Sequence, residues 1–314
     1  MTMNKERKKK INRFLWGARG EGGLIRLTAL YALLIGISFI FLYPLLQMVA
    51  NSFMSLEDLI DPTVFWLPTK LVTKNYQKAI EVLNYWKAFR DSVTVAFWPT
   101  IIGVASSAVI GYGFARYQFP GKKIWLGVLI GVFLLPTILV SIPTYVIYNN
   151  LKMLESLKAY IFPALTGFGL RQSVFILIFY QFFKMVPTEL SESAEVDGAN
   201  SVQIFFKIAI PMVIPAFIIC VLYSFVWYWN ETTLAIAYFK GKYTTLQIAL
   251  SQFESMYRQL YPSGSIGLGS ANEMFNQGVL FAGTTLTILP LIILYIFTQR
   301  WFVESADRAG IAGE

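Results

Sequence analysis

Apolar residues in this chain gather into six long runs separated by polar stretches. The runs fall at about Leu24–Leu46, Ser92–Ala115, Ile124–Ile147, Tyr160–Phe183, Ile208–Trp229 and Val279–Phe297. None shows the two-residue alternation of a strand, and each is long enough to cross a hydrocarbon core of about 30 Å as a helix rising about 1.5 Å per residue. The pattern predicts an all-α membrane protein with six transmembrane helices.

Composition agrees with this. Of 314 residues 56% are hydrophobic, and the mean hydropathy is +0.55, more apolar surface than a soluble domain of this length needs. The formal charge of +8 is concentrated at the start. Met1–Arg26 holds Lys5, Arg7, Lys8, Lys9, Lys10, Arg13, Arg19 and Arg26 against Glu6 and Glu21. A basic cluster beside an apolar run reads as a cytoplasmic anchor on anionic membrane lipid, and no nucleic-acid partner is expected. The first run exceeds a signal-peptide core and lacks a small-residue cleavage site, so it is expected to stay as a span. The chain contains no histidine, which excludes Ser-His-Asp triads and His-ligated zinc or haem. Its one cysteine, Cys220, sits in an apolar run and is expected to be a small core side chain.

Short-loop charge sets the orientation. The basic N-tail and the loop Arg116–Lys123, with three basic residues and no acid, go inside. Six spans then return the C-terminus to the cytoplasm near Arg300 and Arg308. The expected organisation is a basic tail at 1–23, a six-helix transmembrane domain at 24–303 and a cytoplasmic tail at 304–314. Gly103, Ser107 and Gly111 recur every fourth residue and give the second span a stripe that another helix can approach closely. Asn75–Phe89 has helical apolar spacing and is expected as a short amphipathic helix on the outer surface. Tyr257–Asn272 reads as a Gly/Ser-rich outer loop.

The stretch Pro187–Phe217 lies between the fourth and fifth spans, on the cytoplasmic side by this topology. Glu189, Glu192, Glu195 and Asp197 stand within nine positions where basic residues are the rule. Glu192 and Glu195 share a helix face. Ala194, Val196 and Ala199 offer small apolar contacts, and Gly198 permits a left-handed turn. Two short helices joined near Gly198 are expected, either as a docking face for a basic cleft on a partner or as a solvated acidic linker.

The residues Glu192-Ser193-Ala194, Gly198 and Ile208-Ala209-Ile210-Pro211 resemble the EAA loop of ABC importer permeases, patterned E-A-A-x3-G-x9-I-x-L-P, with departures at Ser193 and Ile210. Val186-Pro187-Thr188-Glu189-Leu190, Val196-Asp197-Gly198-Ala199 and Gln299-Arg300-Trp301-Phe302-Val303 resemble the carbohydrate-type permeases, the MalG-type second subunit in particular. The resemblance implies a type I ABC importer permease for a sugar or oligosaccharide, with an ABC permease for a non-sugar solute or a stand-alone six-helix facilitator as the alternative readings. It further implies a second, MalF-like permease subunit, two MalK-like ATPase subunits and an extracytoplasmic solute-binding protein in the inner membrane complex. ATP and Mg would belong to the ATPases and no cofactor to this chain, which has no G-x4-G-K-[ST] loop. Glu192, Ser193, Ala194, Glu195, Asp197, Gly198, Ala199, Ile208 and Pro211 would form the ATPase-docking loop, about 187–211. Glu192 would pair with a basic residue, and the tail Ser305–Glu314 would reach the ATPase dimer.

Candidate pathway residues are Arg171, in an apolar segment just after Gly167-Phe168-Gly169, and Asn230 and Glu231 at the end of the fifth span. An ionisable residue at membrane depth faces a cavity or a partner. Arg171 is open to both readings, solute contact or an ion pair with the partner permease, and the paired glycines point to a broken helix.

Overall fold

The structure, a computed structural model, describes residues 23–262 and 275–311. The basic tail, most of the Gly/Ser-rich loop and the last three residues lie outside the described residues. Helices α1 (Leu24–Ser52), α2 (Leu56–Ile60), α3 (Lys74–Val82), α4 (Tyr85–Arg116), α5 (Lys122–Leu134), α6 (Thr137–Asn150), α7 (Lys158–Thr166) and α8 (Gln172–Met185) come first. They are followed by α9 (Thr188–Val196), α10 (Ser201–Ile204), a π-turn at Phe205–Ala209, α11 (Ile210–Met212) and α12 (Ile214–Asn230). The chain continues with α13 (Thr233–Phe239), α14 (Leu246–Ser251), α15 (Phe253–Leu260) and α16 (Gln277–Ile311). No strand occurs among the described residues.

The chain divides into two compact units, one of residues 1–76 and 265–285, the other of residues 77–264 and 286–314. In the first, α1 exposes its apolar side chains along its length, Ile40 at 70% and Phe41 at 74%, as a lipid-facing helix does. The segment after it is pinned by polar contacts. Asp58 accepts from the Thr69 backbone N–H and hydroxyl at 3.1 and 2.6 Å, and Asn75 Nδ2 donates to the carbonyls of Ser52 and Met54.

In the second unit, α4 packs against α7, α8 and α12. Val104, Ala108 and Tyr112 of α4 meet Phe175, Phe179 and Phe183 of α8, with Ala209, Val213, Ala216 and Cys220 closing the cluster. Cys220 is fully buried there, as its apolar surroundings predict. Ser224 Oγ donates to Thr100 Oγ1 at 3.2 Å across the α12–α4 contact. The small-residue stripe earns its place at one position above all. A Cβ on Gly111 would stand 2.6 Å from Phe179 Cβ and 2.9 Å from the Tyr180 backbone nitrogen, whereas one on Gly103 meets Ala164 Cβ at an ordinary 3.5 Å. Gly111→Ala is therefore expected to lower the thermal stability of the detergent-purified subunit by about 1–3 kcal/mol, the usual range for overpacking, and Gly103→Ala by much less. Equal melting temperatures for the two variants would contradict this contact.

Among the described residues, three helices are long and apolar enough to cross a membrane unbroken: Leu24–Ser52, Tyr85–Arg116 and Gln277–Trp301. The other expected spans are interrupted. The third is two helices, α5 and α6, bent by 100° at Leu135 and Pro136. Ten consecutive residues around that bend, 131–140, are exposed. The fourth is split into α7 and α8 by Gly167–Arg171, where Gly167 (φ 88°) and Arg171 (φ 49°) are both left-handed. The paired glycines therefore mark a break, as expected. The outer helix differs from its expected bounds. It stops at Val82, and Tyr85–Phe89 belong to α4, because left-handed Asn84 (φ 44°) ends one helix and starts the next.

Candidate functional site

The conspicuous local geometry lies between α8 and α12. At the end of α4, Arg116 Nη2 donates to the Val186 carbonyl at 2.8 Å, tying the second span to the residue from which α9 departs. Pro187 disfavours a helical Val186, so α8 stops, and α9 leaves it at 69°. The far end of α9 is closed by a two-bond cap: Gly198 N–H donates to Glu195 O at 3.0 Å, and Ala199 N–H to Ala194 O at 2.9 Å. This is a Schellman motif, which requires a left-handed residue after the helix. Gly198 supplies it with φ 86°. Ala194 and Ala199 are thus the two ends of one backbone bond.

Asn200 opens the next helix with a capping box: its side chain accepts from Gln203 N–H, and Gln203 Oε1 accepts from Asn200 N–H, both at 2.9 Å. The helix widens at Phe205–Ala209, where Ile210 N–H reaches back five residues to Phe205 O. Pro211 explains the widening, since its ring clashes with the carbonyl four residues earlier in a regular helix. Pro215 acts the same way one turn on, and the chain kinks by 76° at Val213 before α12. Ile208 is half-buried and Pro211 exposed.

Glu189, Glu192, Ser193, Glu195 and Asp197 are exposed, and the four acids make no ion pair among the described residues. Val196 at 88% and Phe206 at 61% are exposed as well. The loop is therefore two short helices joined at Gly198, as the sequence predicts, with exposed apolar side chains as well as exposed acids.

The second feature is a cavity of about 650 Å³ lined by the α5–α6 bend and the α7–α8 break. Gln172, 2% exposed, holds that break together. Its Nε2 lies 2.9 Å from the carbonyls of Gly103 and Ala164 and 2.7 Å from Ser106 Oγ, while its Oε1 accepts from Gly169 N–H at 2.7 Å. Tyr228 OH accepts from Leu170 N–H at 3.1 Å. Broken backbone at membrane depth needs such partners or a water-filled cavity. Arg171 lines the cavity, its guanidinium carbon 5.2 Å from the Trp227 ring. Asn230 and Glu231 do not line it. Asn230 Nδ2 donates to Val226 O and its Oδ1 accepts from Gln247, and Glu231 Oε1 caps α13 through Leu234 N–H.

Gln172 and Arg116 carry the geometry of both features and were passed over in the sequence. Gln172 was hidden beside the more conspicuous Arg171, and Arg116 counted only as a loop charge.

A profile of the binding-protein-dependent transport system inner membrane component family matches residues 103–308. The chain belongs to that family. Similar relatives include the arabinooligosaccharides transport system permease protein AraQ of Halalkalibacterium halodurans, 26% identical over 88% of this chain and 93% of that protein. Another is the polygalacturonan/rhamnogalacturonan transport system permease protein YtcP of Bacillus subtilis, 27% identical over 90% and 97%. The fold resembles, with a TM-score of 0.67, a chain of a bacterial ABC transporter involved in the import of the acidic polysaccharide alginate. That match is 20% identical and covers 88% of this chain and 96% of the other. This family member is thus an ABC importer permease, a multi-pass component of the inner membrane, a class that works with a second permease, an ATPase and a binding protein.

Proposed function

We propose that this chain forms half of the translocation pathway of an ATP-driven importer for a sugar or oligosaccharide, and that residues 187–211 dock it to the ATPase. The relatives named for oligosaccharide transport support the cargo class. The observation that carries the docking reading is the turn of α9: an exposed helix fixed at both ends, its three acids and the capping Asp197 without ion-pair partners among the described residues. An acidic face of this kind pairs with a basic cleft, and the exposed Val196 and Phe206 give the contact an apolar part. ATP and Mg would be held by the partner ATPases, and this chain would contribute no catalytic group.

The turn has the parts of a lever. Closure of an ATPase dimer would push on α9, and the push would pass through Val186 to Arg116 and α4, and through the π-turn to α12. The bent spans would then rock between inward and outward access. Glu192→Lys is expected to leave the subunit inserted and paired with its partner permease. It should reduce co-purification of the ATPase at least tenfold, about 1.4 kcal/mol of binding energy. Undiminished ATPase recovery with this variant would refute the docking face.

A further inference from the structure

The cavity between the two helix breaks carries a chemistry of its own, and the following rests on the sugar-importer reading above. Arg171 is the only charged side chain lining this cavity or the smaller one that adjoins it, among the described residues. Its guanidinium has no carboxylate partner and no hydrogen-bond acceptor there, and its contact is the face of Trp227. That stacking steadies the fork without using its N–H donors.

The backbone adds to the charge. Helices α6 and α8 both begin at this cavity, at Thr137 and Gln172, and neither start has a side-chain cap. Two positive helix ends therefore meet beside Arg171. The opposing negative ends are occupied. The carbonyls of Pro163 and Ala164 at the end of α7 accept from Phe168 N–H, Ser106 Oγ and Gln172 Nε2, and those of Gly131 and Val132 at the end of α5 accept from Leu135 N–H. Gln172 N–H at the start of α8 donates to Gly169 O at 3.1 Å, which leaves the Arg171 guanidinium as the one formal charge among the described residues that line the cavity. Around it stand hydroxyls of Thr137, Thr144 and Tyr148 and the ring of Phe168, the mixture of donors and an aromatic face that a sugar ring uses.

We propose that this cavity binds an anionic saccharide, with Arg171 taking a ring carboxylate of a uronate residue through paired N–H···O bonds. A neutral sugar would leave the guanidinium without a charged partner, so charge is the feature the site selects.

The test is equilibrium binding to the assembled, detergent-purified transporter, using digalacturonate and its uncharged counterpart galactobiose as probes. Digalacturonate is expected to bind at least tenfold more tightly, with an affinity that falls as salt rises. Arg171→Gln should abolish that preference, bringing the affinity for digalacturonate down to that for galactobiose, and Arg171→Lys should keep part of it. Equal affinity for the two probes, no binding of digalacturonate, or an unchanged preference in Arg171→Gln would each overturn the proposal. So would loss of the second permease subunit from the Arg171→Gln complex, which would mark Arg171 as an inter-subunit ion pair. None of these outcomes depends on the α9 face, whose failure shows separately as undiminished ATPase recovery with Glu192→Lys.

Discussion

Replacing Gln172 with leucine is expected to abolish transport while leaving the chain inserted in the membrane. The side chain donates to the Gly103 and Ala164 carbonyls and accepts from Gly169 N–H, all at 2.7–2.9 Å and out of contact with solvent. Leucine fills a similar volume and satisfies none of them. A buried backbone group left without a partner costs about 1–3 kcal/mol, and Gly169 N–H is only one of the groups affected. The break at Gly167–Arg171 would then re-form as continuous helix or collapse onto α4, and either change closes the cavity. Ser106→Ala is the milder control, because it removes one hydroxyl that donates to Ala164 O at 2.5 Å and leaves Gln172 its other contacts. Uptake into proteoliposomes reads both variants, with cysteine accessibility at Thr137 reporting whether the cavity stays open. Wild-type uptake by Gln172→Leu would show that the break needs no such clamp.

The second large effect is expected at Gly198. A Cβ there meets nothing within 4 Å, so bulk is not what forbids a side chain. The obstacle is φ 86°, a conformation that costs an ordinary L-residue roughly 1–2 kcal/mol. Gly198→Ala and Gly198→Leu should therefore behave alike, loosening the Ala199-to-Ala194 bond and lowering ATPase recovery about tenfold or more. Asparagine tolerates the left-handed region, so Gly198→Asn should retain most of it. A graded loss that follows side-chain size, with asparagine as poor as leucine, would point to crowding against the partner and away from the backbone cap.

Much of this was legible along the chain because lipid makes apolar length informative. Leu24–Ser52, Tyr85–Arg116 and Gln277–Trp301 were visible as runs because an unbroken helix satisfies its own backbone. The hinge at Gly198 was visible because only a few residue types accept its dihedral angles. The bend at Pro136 was not. The apolar run passes through it unchanged, and Pro143, six residues into α6, leaves its helix continuous. Pro136 stands at the start of α6 and Pro143 inside it, and hydropathy does not tell the two positions apart. Gln172 illustrates the same limit, since its importance lies in four partners, two of them on α4, nearly seventy positions away. Among the pathway candidates, Arg171 reached the cavity because the break turned it there. Asn230 and Glu231 did not, because each was taken up locally, by α14 through Gln247 and by the start of α13.

The 100° bend between α5 and α6 bears on how the subunit lives before it is assembled. A helix of 13 residues is about 20 Å long, short of a hydrocarbon core of about 30 Å. Neither half can serve as an independent stop for the translocon, and residues 131–140 lie open in the lone chain. In lipid, only the few backbone groups at the bend that no helix bond pairs would face acyl chains, at several kcal/mol for each unsatisfied group. The orphan subunit is thus marked by its own architecture. A partner that covers the bend would relieve that cost, so the subunit is expected to be more stable in the assembled complex than alone.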